Sequence, residues 1–255
     1  KGTIQPEVNR LVVELYRGLG CAVLNAEFPR KVAEVPTRMA DLHAEAVFRG
    51  EVIDPATRAV TVNIARGGTL PSHTVYDLLN ATLDPRLVRQ DHVVMSRRLG
   101  AEDRVVGAGI SGMKIGGDVE GAFLLFPDPM GATGASLSLA VDTYRARVKG
   151  TPRRILALHL IVTPEYLRAM ARAHPGVVVY AVRLDRGLSP ADALEAVPGT
   201  HWDRERGLDE RQYIVPGAGG LGDPIIGGIN VQNTAWVFEG AVTAALLAVI
   251  VDQFL

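Results

Sequence analysis

Residues 123–148 constrain the fold of this chain more than any other segment. The apolar, strand-length run Phe123-Leu-Leu-Phe126 ends just before Asp128, and small, hydroxyl-rich residues follow it. Apolar residues at helical spacing over 137–148 then predict a helix. A strand, a turn of small residues and a helix in this order are typical of a parallel α/β sheet, with the turn at the carboxyl end of the strand.

The rest of the chain repeats this alternation of strands and helices. Strand-like, β-branched runs occupy residues 59–64, 91–95, 123–126, 154–162 and 177–184. Helical patterns separate several of these runs, so the sequence predicts a single α/β domain over 1–255, with a mostly parallel sheet flanked by helices. Two helical segments, 6–19 and 37–48, are predicted to precede the sheet core.

Three further segments are predicted to decorate this domain. The stretch 107–117 is dense in glycine and lacks periodicity, so we expect a mobile loop or a hairpin there, as part of a small flexible hood over about 97–117. Residues 186–207 are expected to form an insertion with a short helix beginning near Ser189-Pro190. The apolar segment at about 235–255 predicts a C-terminal helix, whose surface makes a homo-oligomer, a dimer or higher, the expected assembly.

Composition excludes several classes of function. Hydrophobic residues make up 47% of the 255 residues and charged residues 22%, which is typical of a soluble globular protein. The formal net charge of −1 provides no broad field, so neither a nucleic acid nor a membrane partner is expected. The single cysteine, Cys21, excludes an internal disulfide and a multi-cysteine metal site, and we expect a cytoplasmic location.

The turn that follows Asp128 has the chemistry of a phosphate-binding loop. Small side chains allow backbone N–H groups to converge on an anion, Thr133 and Ser136 add hydroxyl donors, and the helix N-terminus favours negative charge. No Gly-Lys-Ser/Thr follows, so the turn is not a Walker loop. A carboxylate beside a phosphate cradle suits a ligand that carries both a phosphate and hydroxyls, such as a sugar phosphate.

The same residues resemble a known family. Asp128-Pro-Met-Gly-Ala-Thr-Gly-Ala-Ser136, the phosphate loop below, resembles the D-P-M-x-A-T-G-G-S loop of uracil phosphoribosyltransferases, members of the type I phosphoribosyltransferase family. Tyr213-Ile-Val-Pro-Gly217 is similar to the segment that opens the uracil-binding loop of those enzymes. Two such matches in the right order are more specific than either alone.

Shorter matches extend the resemblance over most of residues 27–228. Ile64-Ala-Arg-Gly-Gly68 looks like the family's strand followed by R-A-G. Thr163-Pro-Glu165 and His174-Pro175 look like its A-P-E-G and A-H-P motifs. Apparent insertions near 99–112 and 186–207 interrupt the match.

The resemblance implies transfer of a phosphoribosyl group from phosphoribosyl pyrophosphate (PRPP) to uracil, which yields UMP and pyrophosphate. The implied PRPP-binding residues are Asp128 at the ribose hydroxyls, Ala132, Thr133, Gly134, Ala135 and Ser136 at the 5-phosphate, Arg66, Gly67 and Arg97 at the pyrophosphate, and Lys114 in a flexible hood that closes over the site. Asp128, Arg66 and Arg97 are the candidates for catalysis. Mg²⁺ is expected to enter with PRPP, with no direct protein ligand assigned.

The acceptor side departs from the family pattern. Tyr213, Ile214, Gly219, Gly220 and Asp223 are the candidate acceptor-binding residues of a loop that spans 213–228. Where the family reads P-G-L-G-D-A-G-D, this chain has Gly220 in place of the first acid and keeps the second as Asp223. Three hypotheses therefore remain: a uracil enzyme, a PRPP-dependent transferase for another pyrimidine or planar aromatic acceptor, and a non-catalytic sensor of nucleotides or PRPP.

Overall fold

The computed structural model describes residues 6–99 and 105–217, and the side chains of all of these except 96–99 and 105–108. The helices are α1 Glu7–Glu27, α2 Thr69–Thr82, α3 Ala135–Arg147, α4 Pro164–Ala173 and α5 Ala191–Glu195. The strands are β1 Arg30–Pro36, β2 Val47–Ile53, β3 Ala59–Ala65, β4 Val88–Leu99, β5 Val105–Lys114, β6 Phe123–Pro127, β7 Met130–Gly131, β8 Arg154–Val162 and β9 Val177–Leu184.

The central sheet has the strand order β5-β4-β3-β6-β8-β9, and the short β7 pairs with the carboxyl end of β8. Every neighbouring pair in this sheet is parallel except β4 with β5. The predicted fold class, a mostly parallel sheet flanked by helices, is therefore confirmed. Because parallel strands end at a common edge, the loops that follow β3, β6, β8 and β9 meet there.

Helices cover both faces of the sheet. Phe123 and Leu125 of β6 pack in the cluster that α1 and α2 contribute to, whereas Leu124 and Phe126 pack in the cluster of α3 and α4. All of β6 and nearly all of β8 are buried. A strand buried on both faces needs a continuous apolar sequence, which explains why these strands could be recognised as uninterrupted runs.

The predicted helix over 37–48 is wrong. The chain instead forms a two-stranded antiparallel sheet, in which β1 pairs with β2, and residues 37–46 make the connection. The Thr37 N–H and hydroxyl both donate to the Ala46 carbonyl, each at 2.9 Å, and Met39 and Leu42 are exposed. The apolar residues of this segment therefore bury no helix face, and cross-strand pairing decides its structure.

Other boundaries differ from the predictions as well. Helix α1 continues to Glu27, beyond the predicted end at 19. In the part of the expected hood that the structure describes, β4 and β5 pair antiparallel as a hairpin. The insertion at 186–207 contains α5, and the predicted helix at 235–255 lies outside the described residues. Among described residues, no helix is long and apolar enough to cross a membrane.

Candidate active site

Two of the predicted donor-site segments meet at the carboxyl edge of the sheet. Residues 66–68 follow β3, and the phosphate loop follows the neighbouring strand β6. A Cβ built on Gly67 would lie 3.4 Å from Asp128 Oδ1. The structure therefore brings Arg66, Gly67 and Asp128 together, as the sequence predicted for their roles around one ligand.

The turn at 66–68 is tightly packed on its inner side. The Gly68 N–H donates to the Ile64 carbonyl at 2.9 Å, and α2 begins directly afterwards at Thr69. A Cβ on Gly68 would lie 2.8 Å from the Pro127 carbonyl oxygen, a distance that packed atoms do not tolerate. Arg66 is exposed at the outer side of the turn. Glycine at 68 thus lets the turn approach β6 while Arg66 stays available to an anion.

The phosphate loop turns into helix α3 through Gly134. This residue has φ 82°, in the left-handed region that favours glycine, and α3 starts at Ala135. The Thr133 hydroxyl oxygen accepts a hydrogen bond from the Ala135 N–H at 3.3 Å, and Ser136 is exposed. The first amides of α3 lack carbonyl partners within the helix, so they and the helix dipole favour an anion at this loop.

Residues of strand β8 and of the start of helix α4 form hydrogen bonds with the backbone of the phosphate loop. The Asp128 N–H donates to the Leu158 carbonyl at 3.0 Å. Thr163, the N-cap of α4, donates from its N–H to the Gly131 carbonyl at 3.1 Å and from its hydroxyl to the Ala132 carbonyl at 2.6 Å. The motif match that includes Thr163 does not predict this role. A Thr-Pro pair after a strand does signal a helix start, but not its contact with a second loop.

Asp128 is the carboxylate at the centre of this arrangement. Its side chain is half-buried, and the burial raises its pKa from 3.8 to about 7, although a hydrogen bond from the Met130 N–H acts in the opposite direction. Hydrogen bonds donated by a ligand's hydroxyl groups favour the ionised carboxylate. Asp128 is therefore suited to a ligand that presents hydroxyls beside a phosphate.

The two remaining donor-side candidates lie on the hood hairpin. Lys114 is exposed at the end of β5, and it pairs across the strands with His92, which in turn pairs with Asn63 of β3. Paired residues share one face of a sheet, so these three side chains form a row. Thr69, at the start of α2, donates to Asn63 Oδ1 at 3.4 Å and links the row to the turn at 66–68.

Arg97 lies on β4, where its backbone pairs with Ala108 of β5. Its side chain is outside the described part of the structure. The structure thus places Arg97 on the hood hairpin, and its predicted contact with pyrophosphate stays a prediction.

The candidate acceptor residues belong to the loop at 213–228, the acceptor loop below, and hydrogen bonds to the backbone hold the part of it that the structure describes, residues 213–217. Asp185, buried at the end of β9 beside Arg183, accepts from the Gly217 N–H at 2.8 Å. The Val215 carbonyl accepts from the Gly187 N–H at 3.0 Å, so the insertion is bonded directly to this loop. The loop therefore begins at the same edge of the sheet as the donor-side turns.

The candidate acceptor residues differ in how they are placed. Ile214 is half-buried and forms an isolated bridge with Leu208, whereas Tyr213 is 69% exposed. Gly219, Gly220 and Asp223 lie outside the described residues. An open groove of about 680 Å³ runs beside Tyr213, and its lining comes from Leu188, Arg206, Leu208, Asp209, Glu210, Arg211 and Tyr213. No phosphate-loop residue lines this groove, which is formed by the insertion, the residues 208–211 that follow it and the start of the acceptor loop.

Comparisons with known proteins agree with the geometry of the donor side. A curated uracil phosphoribosyltransferase from Ralstonia pickettii (strain 12J) is 36% identical over 114 residues, which are 44% of this chain and 43% of that protein. The chain thus aligns with less than half the length of this relative. The structure of the AQ2163 protein from Aquifex aeolicus superposes with a TM-score of 0.54 at 18% identity, over 88% of this chain and 95% of that one.

The similarity to the Aquifex aeolicus structure shows the fold alone, because the identity is low. The decisive comparison is with a family model described as uracil phosphoribosyltransferase, which matches residues 1–204. That match includes the turn at 66–68, the phosphate loop and the strands that carry them. The chain belongs to the uracil phosphoribosyltransferase family of transferase enzymes.

Proposed function

We propose that this protein transfers the 5-phosphoribosyl group of PRPP to uracil. In this reaction the bond between ribose C1 and the pyrophosphate oxygen breaks, a bond from C1 to uracil N1 forms, and N1 loses its proton. The observation that carries the proposal is the proximity of Gly67 to Asp128, which sets an anion-binding turn against a phosphate loop with one carboxylate between them.

Each part of the proposed substrate has matching chemistry in the site. The 5-phosphate is assigned to residues 132–136, where small residues precede the N-terminus of α3. The ribose hydroxyls are assigned to Asp128. The pyrophosphate is assigned to Arg66 and Lys114, because both side chains are exposed cations near the same edge of the sheet. Holding the two anions in line positions C1 for attack.

Mg²⁺ fits this site as part of the substrate. Among the described residues, no group of three or more His, Cys, Asp or Glu side chains could form a protein-only metal site. Mg²⁺ commonly binds through substrate phosphates, retained waters and one or two carboxylates. Asp128 provides one carboxylate beside the proposed pyrophosphate position. Bound in this way, Mg²⁺ would neutralise charge on the leaving group.

A second acceptor remains a candidate because of the insertion. The bond from Gly187 to Val215 and the groove beside Tyr213 join the insertion and the residues that follow it, up to Arg211, directly to the acceptor loop. Together with Gly220 in place of the family's acid, this favours testing other pyrimidines and planar aromatic acceptors.

The decisive assay follows pyrophosphate release from PRPP and Mg²⁺ in the presence of uracil, other pyrimidines or planar aromatic acids. Release with uracil supports the proposal, whereas release only with another base identifies the alternative acceptor. Saturable PRPP binding without release for any base would instead indicate a sensor. In the enzyme, Asp128→Asn should lower kcat more than it weakens phosphate binding, because the proposed partner of Asp128 is the ribose.

A further inference from the structure

A chain of two short hydrogen bonds connects helix α4 to the backbone of Asp128. His159, on β8, is fully buried, with Nδ1 2.5 Å from the Asp128 carbonyl oxygen and Nε2 2.5 Å from the Tyr166 hydroxyl oxygen. The rings of His159 and Tyr166 meet edge to face at a centroid distance of 4.8 Å. Both side chains are buried, so no solvent competes for these bonds.

The hydrogen-bond partners of His159 determine which of its two ring nitrogens carries the hydrogen. A carbonyl oxygen only accepts, so His159 Nδ1 carries the hydrogen that it donates to Asp128. Nε2 of the neutral imidazole is then an acceptor, and the Tyr166 hydroxyl donates to it. Burial lowers the pKa of His159 to about 4, which agrees with a neutral ring at physiological pH. The order of donation therefore runs from Tyr166 through His159 to the loop.

The Tyr166 ring also supports the loop by contact. A Cβ on Gly131 would lie 3.0 Å from this ring, and one on Gly134 would lie 3.6 Å from it. Tyr166 occupies the place of the glycine in the family motif A-P-E-G, directly after Thr163-Pro-Glu165. The ring thus fills space beneath a loop that has glycines at both contact points, and it does so with a residue that departs from the motif.

We infer that Tyr166 and His159 are positioning residues, which set the orientation of Asp128 toward a bound ribose 5-phosphate moiety. This inference rests on the proposed function. The Asp128 N–H is held by the Leu158 carbonyl and its C=O by His159, so the peptide groups on both sides of its Cα are fixed. Because the carboxylate extends from that Cα, a shift of the loop backbone moves it relative to the phosphate cradle.

The test uses four variants of the full chain, with ribose 5-phosphate as the probe. Tyr166→Phe removes the hydroxyl and keeps the ring. His159→Leu removes both hydrogen bonds, and His159→Asn keeps an N–H donor near the position of Nδ1. Tyr144→Phe is the matched control, because Tyr144 is a buried tyrosine of the same core cluster whose hydroxyl donates to Asp91 rather than toward the loop.

Two readouts separate the inference from the proposed function. The ¹⁵N chemical shifts of His159 report its tautomer without any ligand, and we expect Nδ1–H with an Nε2 signal that shifts in Tyr166→Phe. Calorimetry should show ribose 5-phosphate binding weakened about tenfold in His159→Leu and about threefold in Tyr166→Phe. His159→Asn should recover most of the His159→Leu loss, and Tyr144→Phe should bind like the wild type despite lower stability.

Unchanged affinity in both Tyr166→Phe and His159→Leu would overturn the inference while leaving the proposed function intact. An Nε2–H tautomer of His159 would overturn it as well. If the wild type binds no ribose 5-phosphate, both fail, and the NMR signals then show whether the hydrogen-bond chain itself exists. If His159→Leu does not fold, Tyr166→Phe and His159→Asn decide the outcome, since equal binding by all folded variants refutes the positioning role.

Discussion

Asp128 should reduce the stability of the unliganded protein at neutral and alkaline pH. Its carboxylate is half-buried, and burial raises its pKa from 3.8 to about 7. Asp128→Asn removes the charge and keeps the size of the side chain. We therefore expect the variant to gain stability relative to the wild type as the pH rises.

The pKa values set the pH range and the magnitude. Below about pH 4, Asp128 is protonated in both the folded and the unfolded chain and contributes no pH dependence. Between about pH 4 and pH 7 the folded state retains a proton that the unfolded state has lost, so stability falls as pH rises and then levels off. Each pKa unit corresponds to about 1.4 kcal/mol, and solvent access at a half-buried group reduces the effect. From pH 5 to pH 8 the difference between variant and wild type should therefore grow by about 2 kcal/mol.

Urea unfolding of both proteins at pH 5, 6, 7 and 8 measures this difference. Asp118→Asn is the control for the pH range, because hydrogen bonds from the Glu120 N–H and from Arg58 lower the pKa of Asp118 below 3.8, so this group is ionised in both the folded and the unfolded chain above about pH 5. The stability difference between Asp118→Asn and the wild type should therefore stay constant from pH 5 to pH 8. A stability difference between Asp128→Asn and the wild type that stays constant from pH 5 to pH 8 would refute the reasoning.

Three further predictions concern the loops around Asp128. Gly68→Ala should lower stability by about 1–3 kcal/mol and impair PRPP use, because the added Cβ would lie 2.8 Å from a carbonyl oxygen. Gly67→Ala is the comparison: its Cβ would lie 3.4 Å from Asp128 Oδ1, so it should change the thermal unfolding temperature less. Arg66→Ala should raise the KM for PRPP about tenfold with an unchanged Tm, since the side chain is exposed; unchanged kinetics would remove it from the site. Glu165→Ala removes the carboxylate that accepts from the Gly207 N–H, and Gly207 in turn bonds to Val215 of the acceptor loop. The variant should therefore raise the KM for the acceptor, while calorimetry should show unaltered ribose 5-phosphate binding.

The sequence predicted the core of the sheet well, because local patterns there report burial directly. The runs at 154–162 and 177–184 coincide with β8 and β9, and both strands pack against apolar side chains on both faces of the sheet. The segment 37–48 could not be predicted in this way. Its large apolar residues Met39, Leu42 and Phe48 are exposed within a hairpin, so their spacing carries no information about the strand pairing that determines the structure.

The candidate site shows the same division between local and distant information. The phosphate loop and the turn at 66–68 are contiguous motifs, so the sequence identified them before their proximity was known. His159 on β8 and Thr163 directly after it contact residues of the phosphate loop that lie 31 positions earlier in the chain, and these contacts exist because β8 runs parallel beside β6. Strand order and register are non-local properties, so no pattern in either segment alone reveals the contact.

The donor and acceptor sides also differ in which contacts a substitution would disturb. Gly131 and Gly134 of the phosphate loop pack against the buried Tyr166 ring and its neighbours, where an added Cβ would meet atoms at 2.9 Å and 3.3 Å, so these two positions are tightly constrained. The start of the acceptor loop is held by bonds from the Gly217 N–H to the Asp185 carboxylate and from the Gly187 N–H to the Val215 carbonyl, and a Cβ on either glycine would lie within 2.8 Å of a carbonyl oxygen. These bonds join the acceptor loop to the end of β9 and to the insertion, not to the phosphate loop, so a change in the acceptor loop leaves the contacts of the phosphate loop in place. Divergence within this family should therefore alter acceptor choice before it alters the use of PRPP, and the acceptor panel is the measurement to make first.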